Sequence, residues 1–140
     1  MKNLECSSKG DKRFSAFYAK VNVFGKVDSI ENHYQLSKRF GNEIPRHWKE
    51  AKGKKPTHFV IGDKEYDLNH LSSFYRLLWV KYLDANPDLV EYAKGFDTFS
   101  DMFKGKSINC QADVIRDYVK RGRKYVLDKC IDLIEEMNRK

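Results

Sequence analysis

The sequence predicts an α+β fold, mostly helical, with a few short strands. Three observations carry this. Apolar residues recur at helical spacing over 71–82 and 126–137, and two β-rich runs flank a Gly62-Asp63 pair at residues 57–68. A length of 140 residues fits one domain, so residues 1–140 are read as a single unit with a flexible segment at 1–12.

Taken in order, residues 1–12 are polar, contain Gly10-Asp11, and read as a tail or loop. From Phe14 to Phe24 the chain is aromatic and β-branched. Val21 and Val23 alternate with Lys20 and Asn22, which predicts a strand ended by Gly25. Asp28 is then expected to cap a helix, with Glu31 at its third position as in a capping box, and the helix should stop near Gly41. On that helix Glu31, Gln35 and Lys38 fall at i, i+4 and i+7 and share one stripe, leaving Ile30, Tyr34 and Leu36 to pack. Such a stripe belongs either to a solvated surface or to a site.

Residues 43–55, with Arg46, His47 and Trp48, read as a loop with one helical turn around Trp48. Thr57–Ile61 and Lys64–Leu68 are expected as strands joined by a type II′ turn, with Gly62 in the first position. Asn69 should cap a helix reaching Leu83, with Leu71, Phe74, Tyr75, Leu78 and Tyr82 as its apolar stripe. Asn86-Pro87 opens a short helix closed by Gly95. The stretch 96–108 has no period and reads as a loop. Asn109 should cap a helix through Val119, and 125–137 a continuous last helix, with Val126, Cys130, Leu133 and Met137 in register.

Composition narrows the function classes. No apolar run approaches the roughly 20 residues of a membrane span, and the N-terminus lacks the apolar centre of a secretory signal. Three widely spaced cysteines suit reduced thiols in a cytoplasm. His33, His47, His58 and His70 have no ligand spacing, so neither a metal nor another cofactor is expected. There is no G-x-S-x-G, G-x-G-x-x-G or P-loop, which argues against a serine hydrolase, a Rossmann enzyme or an NTPase. A net charge of +7 admits an anionic partner: a nucleotide, a phosphorylated metabolite or nucleic acid.

Chemistry-bearing side chains gather in three loops besides the Glu31 helix: Phe14-Ser15-Ala16-Phe17-Tyr18, Arg46-His47-Trp48, and the late loop with Asp97, Asp101 and Asn109. Carboxylates, rings and amides suit cleavage of an N-glycosidic bond. A carboxylate stabilises the oxocarbenium-like sugar carbon, a ring holds the base by stacking, and amides orient hydroxyls. Each group also has a structural reading, Trp48 as a core anchor and Asp97 and Asp101 as turn or cap residues.

These residues resemble the NADAR (YbiA-like) superfamily. Phe14-Ser15-Ala16-Phe17-Tyr18 is similar to its F-S-x-F-Y element. Ser29 to Lys38 is similar to S-x-E-H-Y-x-Q-A-x-K, with Asn32 standing before His33-Tyr34. Arg46-His47-Trp48 and Lys81 to Leu89 match R-x-D-W and K-F-x-x-N-P-x-L, so the likeness spans most of 14–120. Two departures stand out: the Gly62-Asp63 hairpin inserted before the Lys81 helix, and a late loop in which Asp is not followed by Trp-Gly.

The resemblance implies a metal-independent N-glycosidase acting on ADP-ribosylated guanine, free or in nucleic acid, or on a ribosylated base. It implies Glu31 as the catalytic carboxylate and Lys38 as a ribose contact or imine-forming amine. Asp97 or Asp101 would position water or ribose hydroxyls. Phe14, Ser15, Phe17, Tyr18, Tyr34, Gln35, Trp48 and Asn109 would contact substrate, with Trp48 stacking. Two alternatives stay open: a protein that binds ADP-ribose-type nucleotides without turnover, and a basic nucleic-acid-binding module built on Lys49, Lys52, Lys54 and Lys55.

Overall fold

The structure, a computed structural model, describes residues 1–103, 106–107 and 110–139. The fold is α+β, with helices packed among several small sheets. The chain begins in a strand rather than the expected tail. β1 (Asn3–Glu5) pairs in parallel with β7 (Thr98–Ser100), Leu4 facing Phe99 in register. Neither segment is long enough to show a period. Each becomes a strand only because the other lies beside it, which buries Leu4 and Cys6. The stretch 96–108, expected as a loop, therefore contains β7, and after it β8 (Met102–Phe103) and β9 (Lys106–Ser107).

β2 (Lys20–Val23) runs where the alternation predicts a strand, but it is half of a hairpin the sequence reading missed. β3 (Lys26–Ser29) pairs back on it through a Phe24-Gly25 turn, both residues at positive φ (50° and 84°). Because β3 continues to Ser29, the helix begins one residue later than expected. Ser29 is the cap of α1 (Ile30–Ser37), its hydroxyl accepting the Asn32 N–H at 3.0 Å. Asp28 supports it, accepting from the Ser29 N–H at 2.7 Å and the Asn32 amide at 2.9 Å. Serine and aspartate are near-equal caps, so strand pairing decides between them. The third helical position is then Asn32, and no capping box forms.

α1 also ends early. Lys38 turns extended and starts β4 (Lys38–Arg39), which joins β5 (His58–Ile61) and β6 (Lys64–Tyr66) in one antiparallel sheet. The β5–β6 hairpin forms on Gly62-Asp63 as predicted, Gly62 supplying the positive φ (64°) that a II′ turn needs. α2 (Trp48–Ala51) is the single turn expected around Trp48.

A 3-10 turn (Leu68–His70), capped by Asp67 rather than Asn69, leads into α3 (Leu71–Ala85). Phe74, Leu78 and Tyr82 face the core as predicted, while Leu71 and Tyr75 are only half-buried. Trp79, outside the predicted stripe, is fully buried on the same helix. α3 is therefore apolar around more than one face, as a helix with neighbours on several sides must be. α4 (Pro87–Ala93) starts with Pro at its first position.

α5 (Cys110–Arg116) runs into a π-helical turn, Asp117–Arg121, closed by Gly122 at φ 103°. The cap expected at Asn109 lies outside the described residues. The predicted continuous helix over 125–137 is broken into α6 (Arg123–Asp128) and α7 (Ile131–Asn138). At the break the Cys130 N–H donates to the Leu127 carbonyl at 2.9 Å. The kink keeps Cys130 and Leu133 inside while Lys129 turns toward Asp117. Phe14, Ile30, Phe59, Trp79, Leu83, Ile115 and Leu133, from elements spread along the whole chain, are the bulk of the core. Among the described residues no helix is long and apolar enough to cross a membrane.

Candidate active site

A cavity of about 550 Å³ opens between α1, α3 and α5, within the size range of small-molecule sites. Its floor is the polar stripe of α1. Glu31 and Gln35 lie one turn apart and are 9% and 6% exposed, so the stripe faces inward and not into water. The Gln35 amide donates to Glu31 Oε1 at 3.0 Å, fixing the carboxylate from its own helix. The other end of that amide, Gln35 Oε1, is buried without a hydrogen-bond partner among the described residues. A buried acceptor left unmatched costs about 1–3 kcal/mol, which a donor entering the cavity would recover.

The loop before β2 closes one side. The Glu31 N–H donates to the Ala16 carbonyl at 2.9 Å, locking the start of α1 onto this loop. Phe17 lines the cavity. Phe14 and Ser15 are fully buried beneath it, and Tyr18 is half-exposed with the Lys12 ammonium 4.9 Å over its ring. Trp48 stands behind Phe17, edge to face at 5.5 Å, and the Lys52 ammonium lies 5.2 Å from both rings. Of these two rings Phe17, not Trp48, lines the cavity.

Tyr34 lines the cavity and packs edge to face on Tyr75 of α3 at 5.1 Å. Lys38 is buried behind it, its ammonium 4.9 Å over the Tyr34 ring and off the cavity wall. Burial holds the Lys38 pKa below the ordinary lysine value, and the Glu31 charge partly restores it.

The two late aspartates part company. Asp97 is exposed, accepts from the Lys2 N–H at 2.9 Å, and lies away from the cavity. Asp101 is 6% exposed and lines it. Burial pushes the Asp101 carboxyl above the ordinary aspartate value, hydrogen bonds from Gln111 oppose this, and the charges of Glu5 and Glu31 add to it. Asn109 lies outside the described residues.

Sequence reasoning missed five contributors. Gln111 of α5 is buried beside Asp101. Arg76 of α3, Arg116 of α5 and Lys129 line the cavity as well. Asp117, at the start of the π turn, is 6% exposed and meets Arg116 and Lys129 at 3.2 Å each and Arg121 at 3.9 Å. Apart from Arg76, these residues come together through the α5–α7 turns, and a π-helical turn at a cavity wall often marks a functional position. Among the described residues no group of three or more His, Cys, Asp or Glu could hold a metal ion.

Comparison with known sequence families places the chain in the NADAR superfamily. It belongs to the family described as DarT1-associated NADAR antitoxin, which it matches over residues 1–139. No match to a curated protein was found.

Proposed function

We propose that this protein hydrolyses the N-glycosidic bond joining an ADP-ribosyl or ribosyl group to a base. The observation that carries the proposal is two buried carboxylates, Glu31 and Asp101, lining one cavity with the Phe17 ring. As the bond breaks, its electron pair leaves with the base nitrogen, and positive charge builds on the sugar carbon and ring oxygen. Glu31 stabilises that charge. The Lys38 ammonium lies behind Tyr34, within reach of the Glu31 charge. Asp101, whose burial favours the protonated form, gives its proton to the departing base and recovers one from the attacking water. Phe17 holds the base, and Gln35 Oε1 accepts from a ribose hydroxyl. Arg76, Arg116 and Lys129 offer positive charge to a diphosphate.

The family's description supports this reading. Stripping an ADP-ribosyl group from a base undoes a modification, which is one way for an antitoxin to act. The test is release of free base from an ADP-ribosylated guanine nucleotide. Glu31→Gln is expected to lower kcat by about 10³-fold or more. Equal rates for the variant and the native protein would overturn the assignment. Thermal stabilisation by ADP-ribose with no base released would instead mark a binding protein without turnover.

A further inference from the structure

The strand pairing that brings the chain to Asp101 stops one residue short of it. The last pair of β1 and β7 is Glu5 with Ser100, and Asp101 follows. A side chain then takes over. Glu5 Oε1 accepts the Ser100 hydroxyl at 2.7 Å, and Glu5 Oε2 accepts the Met102 N–H at 3.0 Å. The residues on either side of Asp101 are thus gripped by one carboxylate. Glu5 Oε2 also accepts the Ser7 N–H at 3.1 Å, and Ser7 is buried and lines the same cavity. The stem of Glu5 is seated against Gly10, where a methyl group would meet Glu5 Cβ and Cγ at 2.6 Å. Burial pushes the Glu5 carboxyl up, but hydrogen bonds from Ser7, Met102 and Ser100 outweigh this and leave it below the ordinary glutamate value.

We infer that Glu5 is a positioning residue: its carboxylate grips the residues on both sides of Asp101 and ties them to Ser7, fixing where the Asp101 carboxyl meets the cavity. The effect on rate rests on the N-glycosidase reading; the grip itself does not. Two carboxylate oxygens take three donors at once. Glutamine keeps one oxygen for the Ser7 and Met102 N–H groups and turns its amide to the Ser100 hydroxyl oxygen, so it keeps the grip and loses the charge. Methionine keeps the length and loses both. The charged or titratable groups around Asp101 are Glu5, the Cys6 thiol, Glu31 and, across the cavity, Asp113, Asp117 and the basic residues named above; both substitutions alter Glu5 alone.

The experiment uses the full chain with Glu5→Met and Glu5→Gln, each checked for native circular dichroism at the assay temperature. Amide hydrogen exchange at Ser7 and Met102 reads the grip, and base release from an ADP-ribosylated guanine nucleotide gives kcat, KM and their pH dependence. In Glu5→Met both amides should exchange about tenfold faster or more. There kcat should fall about 10- to 100-fold with KM within about threefold, since a reacting group displaced by about an ångström can cost about two orders of magnitude. Glu5→Gln should bring both amide protection and the plateau kcat back to within about threefold of native, because one oxygen still serves the two N–H groups. The limb of the pH–kcat profile belonging to Asp101 should move to lower pH in both variants, as both remove the Glu5 charge. Equal kcat in the two variants overturns the inference, because charge and not grip would then set the rate. Native-like exchange at Ser7 and Met102 in Glu5→Met overturns it as well. Should Glu5→Met fail to fold, NMR of the native protein decides: the Ser7 and Met102 amide resonances should follow the Glu5 carboxyl as it titrates, and amides that ignore it overturn the inference. An inactive native protein overturns the N-glycosidase reading, and amide exchange alone then decides the role of Glu5.

Discussion

At Asp101 stability and chemistry pull in opposite directions. Its carboxyl is buried and held above the ordinary aspartate value by desolvation, so the folded protein binds that proton more tightly than the unfolded chain does. Any stabilisation from this group is therefore complete below the unfolded value and lost as pH rises through the folded one. At neutral pH folding must either desolvate the carboxylate or take up a proton, and both oppose folding. Asp101→Asn should accordingly raise Tm by about 3 °C at pH 7, with a smaller gain at pH 4, while abolishing base release. Calorimetry at the two pH values checks it; an equal gain at both would show that charge burial is not the cause. The sequence could propose Glu31 and Gln35 because a helical period aligns them. It could not separate Asp101 from Asp97. Both sit in a stretch without period, and what distinguishes them is the β1–β7 pairing, which turns Asp97 toward the Lys2 N–H and leaves Asp101 on the cavity wall.

Among elements, the two hairpins are a matched pair with opposite legibility. Gly62-Asp63 announces its turn because glycine occupies the one position that must take positive φ. Phe24-Gly25 hides its own, since φ 50° is an uncommon conformation for a bulky aromatic residue and no rule would place Phe24 there. Phe24 is 77% exposed, so little burial offsets the strain. Replacing it with the residue such turns prefer, Phe24→Asn, should stabilise the protein by about 1 kcal/mol, or about 3 °C in Tm, with kcat unchanged. A thermal melt decides, and a loss of Tm would show that the Phe24 ring over Gly62 is worth more than the strain it carries. The last helical segment failed for a related reason. Its apolar period continues unbroken through 126–137, yet the kink at Lys129-Cys130 answers to Asp117, twelve residues earlier.

Over the whole molecule, the excess of seven positive charges bears on which substrate reaches the cavity. Lys52 lines it, and Lys49, Lys54 and Lys55 flank that position in the chain. On the proposed reading, kcat/KM for a modified base within an oligonucleotide should fall steeply between 50 and 200 mM salt, because phosphate contacts release counterions. The same measurement on a mononucleotide should change far less. Equal salt dependence would assign the charge to solubility alone.

The parallel pairing of β1 with β7 carries a consequence for how the protein is made. Residues 3–5 leave the ribosome before their partners at 98–100, which follow only after the intervening chain has been synthesised. Asp101 sits immediately beyond that partner strand, and Gln111 of the same cavity comes ten residues later. Nascent or prematurely terminated chains would therefore hold the Glu31 helix without the opposing half of the cavity. The cavity closes late in translation, once β7 pairs with β1 and α5 reaches the loop before β2.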